Sequence, residues 1–198
     1  VELCKKYRAN LIVDEAHATG ITANQGKGLV QAAHLEKEIF ARVHTFGKAM
    51  GCHGAIIVGS ELLRKFLINF SRSFIYTTAL PVHSLISIHQ SYELLKKDMF
   101  SREQLYKNIQ LFKKEIAADS SIQLIASESP IQSIIISGNE AVKECSDLLR
   151  ERGLDVRPIL SPTVPKEKER LRICIHAFNT LKEMDQLIAG IQEAHQQL

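Results

Sequence analysis

The run Leu11-Ile12-Val13-Asp14-Glu15-Ala16-His17 decides how the rest of the chain is read. Three consecutive apolar residues, with a turn at Asn10 before them, form a short strand of the kind buried on both faces of a parallel sheet. Asp14 then stands at the C-terminal end of that strand, where open α/β sheets bind their ligands. Working outward, residues 1–8 read as the end of an amphipathic helix. A glycine-punctuated loop runs from Gly20 to Gly28, and Leu29 to Phe40 is predicted helical. Val43–Phe46 and Ala55–Val58 read as two further parallel strands, joined by the loop Gly47-Lys48-Ala49-Met50-Gly51-Cys52-His53-Gly54. Glu61–Phe70 reads as an amphipathic helix.

The pattern changes after Pro81. Val82–Lys97 and Ser101–Ala118 are predicted as two helices, the second with Ser101 and Gln104 as a capping box. A compact alternation follows: strand Ile131–Ser137, helix Glu140–Arg152 capped by Asn139 and stopped by Gly153, and strands Asp155–Leu160 and Arg170–His176. A last helix starts at the capping box Thr180/Glu183. The boundary is placed near Asp98, giving residues 1–98 as one domain and residues 99–198 as a small α+β domain.

Composition bounds the function. The 198 residues carry 25 Lys+Arg and 22 Asp+Glu, a net charge of +3, with 45% apolar and 24% charged residues. This is globular composition, too weakly basic for a nucleic-acid surface. No stretch is long and apolar enough for a membrane span, and no signal peptide opens the chain. Cys4, Cys52, Cys145 and Cys174 are scattered and read as reduced, mostly buried thiols of a cytoplasmic protein. The chain opens on Val1 in what reads as the tail of a helix. Three doubly buried strands with few helices make a thin core, so the expectation is of a further N-terminal portion.

Two chemistries want a carboxylate at Asp14. A nucleotide hydrolase would use it for Mg²⁺, with Glu15 orienting water. A pyridoxal phosphate (PLP) enzyme would pair it with the protonated ring nitrogen. A carboxylate that merely caps the next turn is the bland alternative. The second signal is Thr45-Phe46-Gly47-Lys48-Ala49-Met50-Gly51. Gly47 and Ala49 leave room for a flat cofactor beside Lys48, and a lysine amine forms Schiff bases. A phosphate loop would need Ser or Thr after the lysine, where Ala49 stands. Thr45, three residues earlier, offers a hydroxyl for a phosphate.

The blocks LIVDEAHATG, QGKGLV, TFGKAMGCHGA, SFIYTTALP and SPTVPKEKERLRI resemble, in order and spacing, the α-oxoamine synthases. These are PLP-dependent acyltransferases of aminotransferase fold type I. The resemblance runs from Leu11 to the last helix. It implies an α/β fold: the C-terminal part of a parallel-rich large domain, then the small α+β domain. Family members are about twice as long, so the chain is expected to be a C-terminal half. By residue, it implies that Lys48 holds PLP as a Schiff base and acts as general base, and that Asp14 pairs with the ring nitrogen. It further implies that His17 hydrogen-bonds the ring oxygen and that Thr45 holds phosphate. Thr77 and Thr78 would reach the phosphate of a neighbouring subunit's cofactor. Arg172 would hold the amino-acid carboxylate, and Thr163 would line the substrate pocket. The implied partners are an amino acid, an acyl-CoA or carrier-bound thioester, and a second subunit in a homodimer with shared active sites. Neither nucleic acid nor membrane is among them. Within the family, the DEAHATG and SFIYTTALP forms look most like the branch that joins L-alanine to a pimeloyl thioester in biotin synthesis. Branches that use glycine are the closest rivals.

Each assignment has a plainer reading. Arg170 and Arg172 share one face of a strand, and only one need enter a site. Thr77 and Thr78 could be ordinary turn residues. Glu15 is expected to face solvent. His44, His53, His83 and His89 lack metal-ligand spacing and read as structural. Gly26-Lys27-Gly28 is no dinucleotide fingerprint. A DEAH-type ATPase is the rival of a different class. Neither a Ser-Ala-Thr segment nor a QxxGRxGR segment supports it.

Overall fold

A short helix, α1 (Glu2–Tyr7), ends at Arg8 in the left-handed conformation, and the chain passes into β1 (Ile12–Asp14). The structure is a computed structural model and describes residues 1–197. It divides into two compact units, Val1–Met99 and the residues from Phe100 onward.

In the first unit β1 pairs in parallel with β2 (Ala41–Thr45), and β2 pairs antiparallel with β3 (Ala55–Gly59). The third strand therefore departs from the all-parallel expectation. The short connection Phe46–Gly54 cannot carry a crossover, so it closes a hairpin instead. Double-sided burial is not observed either. Ile12, Ile56 and Ile57 are 61%, 45% and 51% exposed, because the layers present are too few to seal the sheet.

The helix expected over Leu29–Phe40 is only α2 (Leu29–Ala32). His34 adopts φ 55°, its N–H bonds Gln31 O, and the Leu35 N–H bonds Val30 O. These two bonds are the Schellman pattern that closes a helix, with His where glycine is usual. Helix α3 (Glu61–Phe70) has the predicted limits, with the Ser60 hydroxyl accepting from Leu63 N. A short α4 (Arg72–Ile75) follows, and α5 (Val82–Lys97) again has the predicted limits.

The second unit opens with α6 (Phe100–Ala117). It starts one residue before Ser101, which therefore lies in the first turn and not at the cap. Strands β4 (Gln123–Leu124), β5 (Ile131–Ile135), β6 (Arg157–Ile159) and β7 (Arg170–Cys174) form an antiparallel sheet in the order β4-β5-β7-β6. The short β4 has no counterpart in the sequence prediction, and β5, β6 and β7 are shorter than predicted. Helix α7 (Asn139–Glu151) is capped by Gly138, not by Asn139. Helix α8 (Leu181–Gln196) carries the predicted Thr180/Glu183 capping box. Ile109, Phe112, Ile116, Ile134, Leu149 and Leu171 are fully buried and form the core.

All four cysteines are free thiols, but only Cys145 is buried; Cys4 and Cys52 are half-buried and Cys174 is exposed. Burial, with Glu144 beside it, pushes the Cys145 thiol up to about 11. No helix among the described residues is long and apolar enough to cross a membrane.

Candidate active site

Asp14 ends β1 opposite Val43, and its Oδ1 accepts from Ala16 N at 2.8 Å. The turn-capping contact is thus present, yet the carboxylate stays exposed. Thr45 lies two residues beyond Val43 on β2. Side chains alternate along a strand, so Asp14 and Thr45 share one sheet face. His17 is exposed, while the turn beneath it is tightly fixed.

That fixing comes from Glu15, which is the main correction to the sequence reading. It is 1% exposed rather than solvent-facing. Its Oε2 accepts from Leu29 N and its Oε1 from Val30 N, both at 2.8 Å. The carboxylate satisfies amides that the start of α2 leaves unpaired. Its main-chain oxygen accepts from Ala18 N, Thr19 N and the Thr19 hydroxyl, and its N–H bonds Val43 O. Gly28 makes this possible: a Cβ there would lie 2.7 Å from Glu15 Oε2, and its φ is 105°. The Gly26-Lys27-Gly28 segment was the available signal, because such a spacing marks a close approach of backbone to another group. A water-orienting role for Glu15, as a nucleotide hydrolase requires, is incompatible with this burial.

His44 is buried beneath the same turn, as its structural reading anticipated. Its Nδ1 is 2.9 Å from Thr19 Oγ1. Because that hydroxyl gives its proton to Glu15 O, His44 Nδ1 is the donor in this pair. Burial holds the His44 imidazole below its ordinary pKa, opposed by Glu15 and assisted by Arg42.

Lys48 is exposed at the head of a turn closed by Gly51 N bonding Lys48 O at 3.0 Å. The loop under it is anchored. Phe46 is 4% exposed and meets Tyr92 of α5 edge-on, ring centroids 6.0 Å apart. Ser91 Oγ donates to Met50 O at 2.9 Å, and Cys52 N bonds Phe46 O at 2.7 Å. A Cβ on Gly20 would lie 2.9 Å from the Ala49 Cβ, so the Asp14–Gly28 loop packs directly against the residue after Lys48. Thr45 is half-buried, and its Oγ1 is buried with no hydrogen-bond partner among the described residues. Buried hydroxyls are rarely left unpaired, so this atom fits an oxygen-rich group brought by a ligand.

Thr77 and Thr78 are exposed in the irregular stretch before α5. The Leu80 side chain, from the same stretch, would meet a Cβ on Gly54 at 3.3 Å, at the far end of the Lys48 loop. Thr163 and Arg172 belong to the second unit. Thr163 is exposed in the turn after Ser161-Pro162. Arg172 is exposed on β7, on the face it shares with Arg170, and lies opposite Arg157 of β6 and Ser133 of β5. Arg157 pairs with Asp155, and Arg170 Nε donates to Lys168 O.

Comparison with known proteins gives the family of the chain. The model of the aminotransferase class I and II family matches residues 1–191. The 8-amino-7-oxononanoate synthase of Emericella nidulans is 43% identical over 188 residues, 91% of this chain and 45% of that protein. The synthase of the same name from Lysinibacillus sphaericus is 34% identical over 98% of this chain and 49% of its own length. Among solved structures, the 8-amino-7-oxononanoate synthase of Francisella tularensis is 30% identical with a TM-score of 0.86, over 99% of this chain and 57% of that one. A serine palmitoyltransferase from S. paucimobilis with bound PLP-myriocin aldimine is 25% identical with a TM-score of 0.91, over 99% and 50%. The chain spans about half the length of the curated relatives it matches.

Proposed function

The chain belongs to the aminotransferase class I and II family, and from that premise we propose that it is the C-terminal part of a PLP-dependent α-oxoamine synthase. The proposed member is an 8-amino-7-oxononanoate synthase, which condenses L-alanine with a pimeloyl thioester in biotin synthesis. The resemblance of the quoted blocks and the names of the most similar relatives support this choice. The observation that carries it is the unpartnered, buried Thr45 hydroxyl, three residues before the exposed Lys48 amine and on the sheet face that bears Asp14. A hydroxyl that can donate to phosphate, a carbonyl-reactive amine and a carboxylate that can accept from a ring N–H are the groups that PLP requires.

When bound, PLP supplies a carbonyl for amines and a ring that withdraws electrons from the bond being broken. The residues do the rest. Asp14 would keep a proton on the ring nitrogen, Thr45 would hold the phosphate, and His17 would donate to the ring oxygen. Lys48 would hold the cofactor and, as a free amine, would serve as general base toward the amino-acid Cα proton. Arg172 would grip the amino-acid carboxylate through its forked guanidinium, and Thr163 would line the substrate pocket.

On this reading residues 1–98 close the large PLP domain and residues 99–198 form the small domain. The upstream half of the same protein supplies the remaining cofactor and thioester contacts. The exposed apolar residues of the first unit fit cover by that half and by a second subunit, to whose cofactor Thr77 and Thr78 would reach. Four free thiols suit a cytoplasmic enzyme. The test is to supply the intact protein with PLP, alanine or glycine, and a panel of pimeloyl, acetyl and palmitoyl thioesters. Release of free thiol is the readout. Thiol release with alanine and the pimeloyl thioester supports the proposal. Preference for glycine and the acetyl thioester reassigns it to glycine C-acetyltransferase. No thiol release with any pair contradicts it.

A further inference from the structure

The connection between β5 and α7, Ser137-Gly138-Asn139, holds the segment that carries Thr163 toward Arg172 at three places. The Ser137 hydroxyl donates to Glu167 O at 3.2 Å. Gly138 N donates to the buried Glu169 carboxylate at 3.0 Å. The third contact is the most specific. Asn139 Oδ1 accepts from Ser161 N at 2.9 Å, and Asn139 Nδ2 donates to Ser161 O at 3.3 Å. One carboxamide thereby grips both main-chain groups of a single residue, two positions before Thr163.

Asparagine at this point would ordinarily cap the helix with its side chain. Here Gly138 takes the cap, with φ 99°, and the Asn139 side chain is spent on the loop. Val164 N bonds Leu160 O at 3.2 Å, so fixing Ser161 fixes a turn whose outward residue is Thr163. No other hydrogen bond among the described residues ties Ser161 to α7 or to the sheet. The carboxamide is half-buried, so water competes weakly for these bonds.

We propose that Asn139 is a positioning residue that sets acyl-substrate selectivity by clamping the Ser161–Thr163 turn. The inference rests on the reading of Thr163 as lining the substrate pocket, and takes the part it lines to be the one that receives the acyl chain. It requires that loss of the clamp be felt by the thioester and not by the amino acid, whose carboxylate is held from β7.

The test uses the intact protein with Asn139→Ala and Asn139→Asp, reading steady-state kinetics and hydrogen exchange together. In Asn139→Ala the KM for the acyl thioester should rise roughly tenfold, the loss expected for one to two net hydrogen bonds. The KM for the amino acid should stay within about twofold, and the amides of Ser161, Thr163 and Val164 should exchange faster. Asn139→Asp keeps an acceptor for Ser161 N but loses the donor to Ser161 O. With a carboxylate oxygen now set against Ser161 O, it should still raise the thioester KM while preserving protection at Ser161 N, which covers the case of a poorly folding alanine variant. Equal losses in amino-acid and thioester parameters overturn the inference, as does unchanged protection at Ser161 in Asn139→Ala. If the wild-type protein turns over no thioester, the functional reading falls instead, and exchange at Ser161 and Thr163 still decides whether the clamp exists.

Discussion

From Phe100 onward, α6, α7, α8 and the antiparallel sheet close completely over Ile109, Phe112, Ile134, Leu149 and Leu171. In Val1–Met99 the sealed apolar side chains are mostly small, such as Ala16, Ala18 and Ala41, with Val30, Phe46 and Met50. Leu62, Phe66, Phe70, Phe74, Leu85 and Leu94 of the first unit are all more than half exposed. The second unit therefore holds its shape by apolar burial within its own residues. The first holds the candidate site with a polar lattice, in which Glu15, Thr19, His44 and the glycine loop interlock. The candidate cofactor residues Asp14, His17, Thr45 and Lys48 lie in the unit with the more exposed apolar surface, and its order depends on directional bonds more than on packing.

The largest effect expected is on activity. Lys48→Ala in the intact protein should lower turnover by at least about 10³-fold, since the anchoring and general-base roles proposed for it would both be lost. Because Lys48 is exposed in this chain, the thermal midpoint of the cofactor-free chain should hardly move. Next comes the contrast in packing. Phe112→Ala should cost ~3–5 kcal/mol in a urea titration of the second unit. Ile57→Ala, at a side chain already half exposed, should cost less than about 1 kcal/mol in this chain. Equal costs would break the comparison. Glu15→Gln should destabilise the first unit by ~1–3 kcal/mol, because the amide nitrogen must face a backbone N–H that the carboxylate oxygen now accepts. Its effect should be absent from the second unit's exchange rates.

Acid separates the units further. The folded pKa of His44 is depressed by burial, so the unfolded chain binds the proton more readily. Stability from this group is complete above about pH 6.5 and falls as the pH drops from there through the folded pKa. Glu169 is held low by Gly138 N–H, so its contribution is complete above the ordinary carboxylate range and is lost only as pH falls through its depressed value. Melting followed by hydrogen exchange should show the first unit weakening at milder acidity than the second, and His44→Gln should remove the early step. Thr180→Ala, which deletes a capping box, should cost ~1 kcal/mol, felt in the second unit alone.

Much of this was legible in the sequence, and the parts that were not have a common cause. The limits of α3 and α5 follow from apolar periodicity, and the start of α8 from the local capping box at Thr180. Asp14 at a strand end and Lys48 in a small-residue loop were visible for the same reason: the signal lies within a few residues. Glu15 was misread because its partners, Leu29 and Val30, lie far along the chain. Asn139 was misread because capping and loop-gripping use the same carboxamide. The early end of α2 turned on His34 accepting a left-handed conformation that composition does not announce. The reversal of β3 follows from the short Phe46–Gly54 connection, which leaves no room for a crossover.

The central claim is that Lys48 is the cofactor lysine. The direct measurement is to add PLP to the intact protein, record the visible spectrum, reduce with borohydride, and locate the modified residue by peptide mapping. The account predicts a visible band that borohydride abolishes, with one pyridoxyl group on Lys48 and none in Lys48→Ala. A pyridoxyl group on another lysine, or no band in the intact protein at saturating PLP, would contradict it.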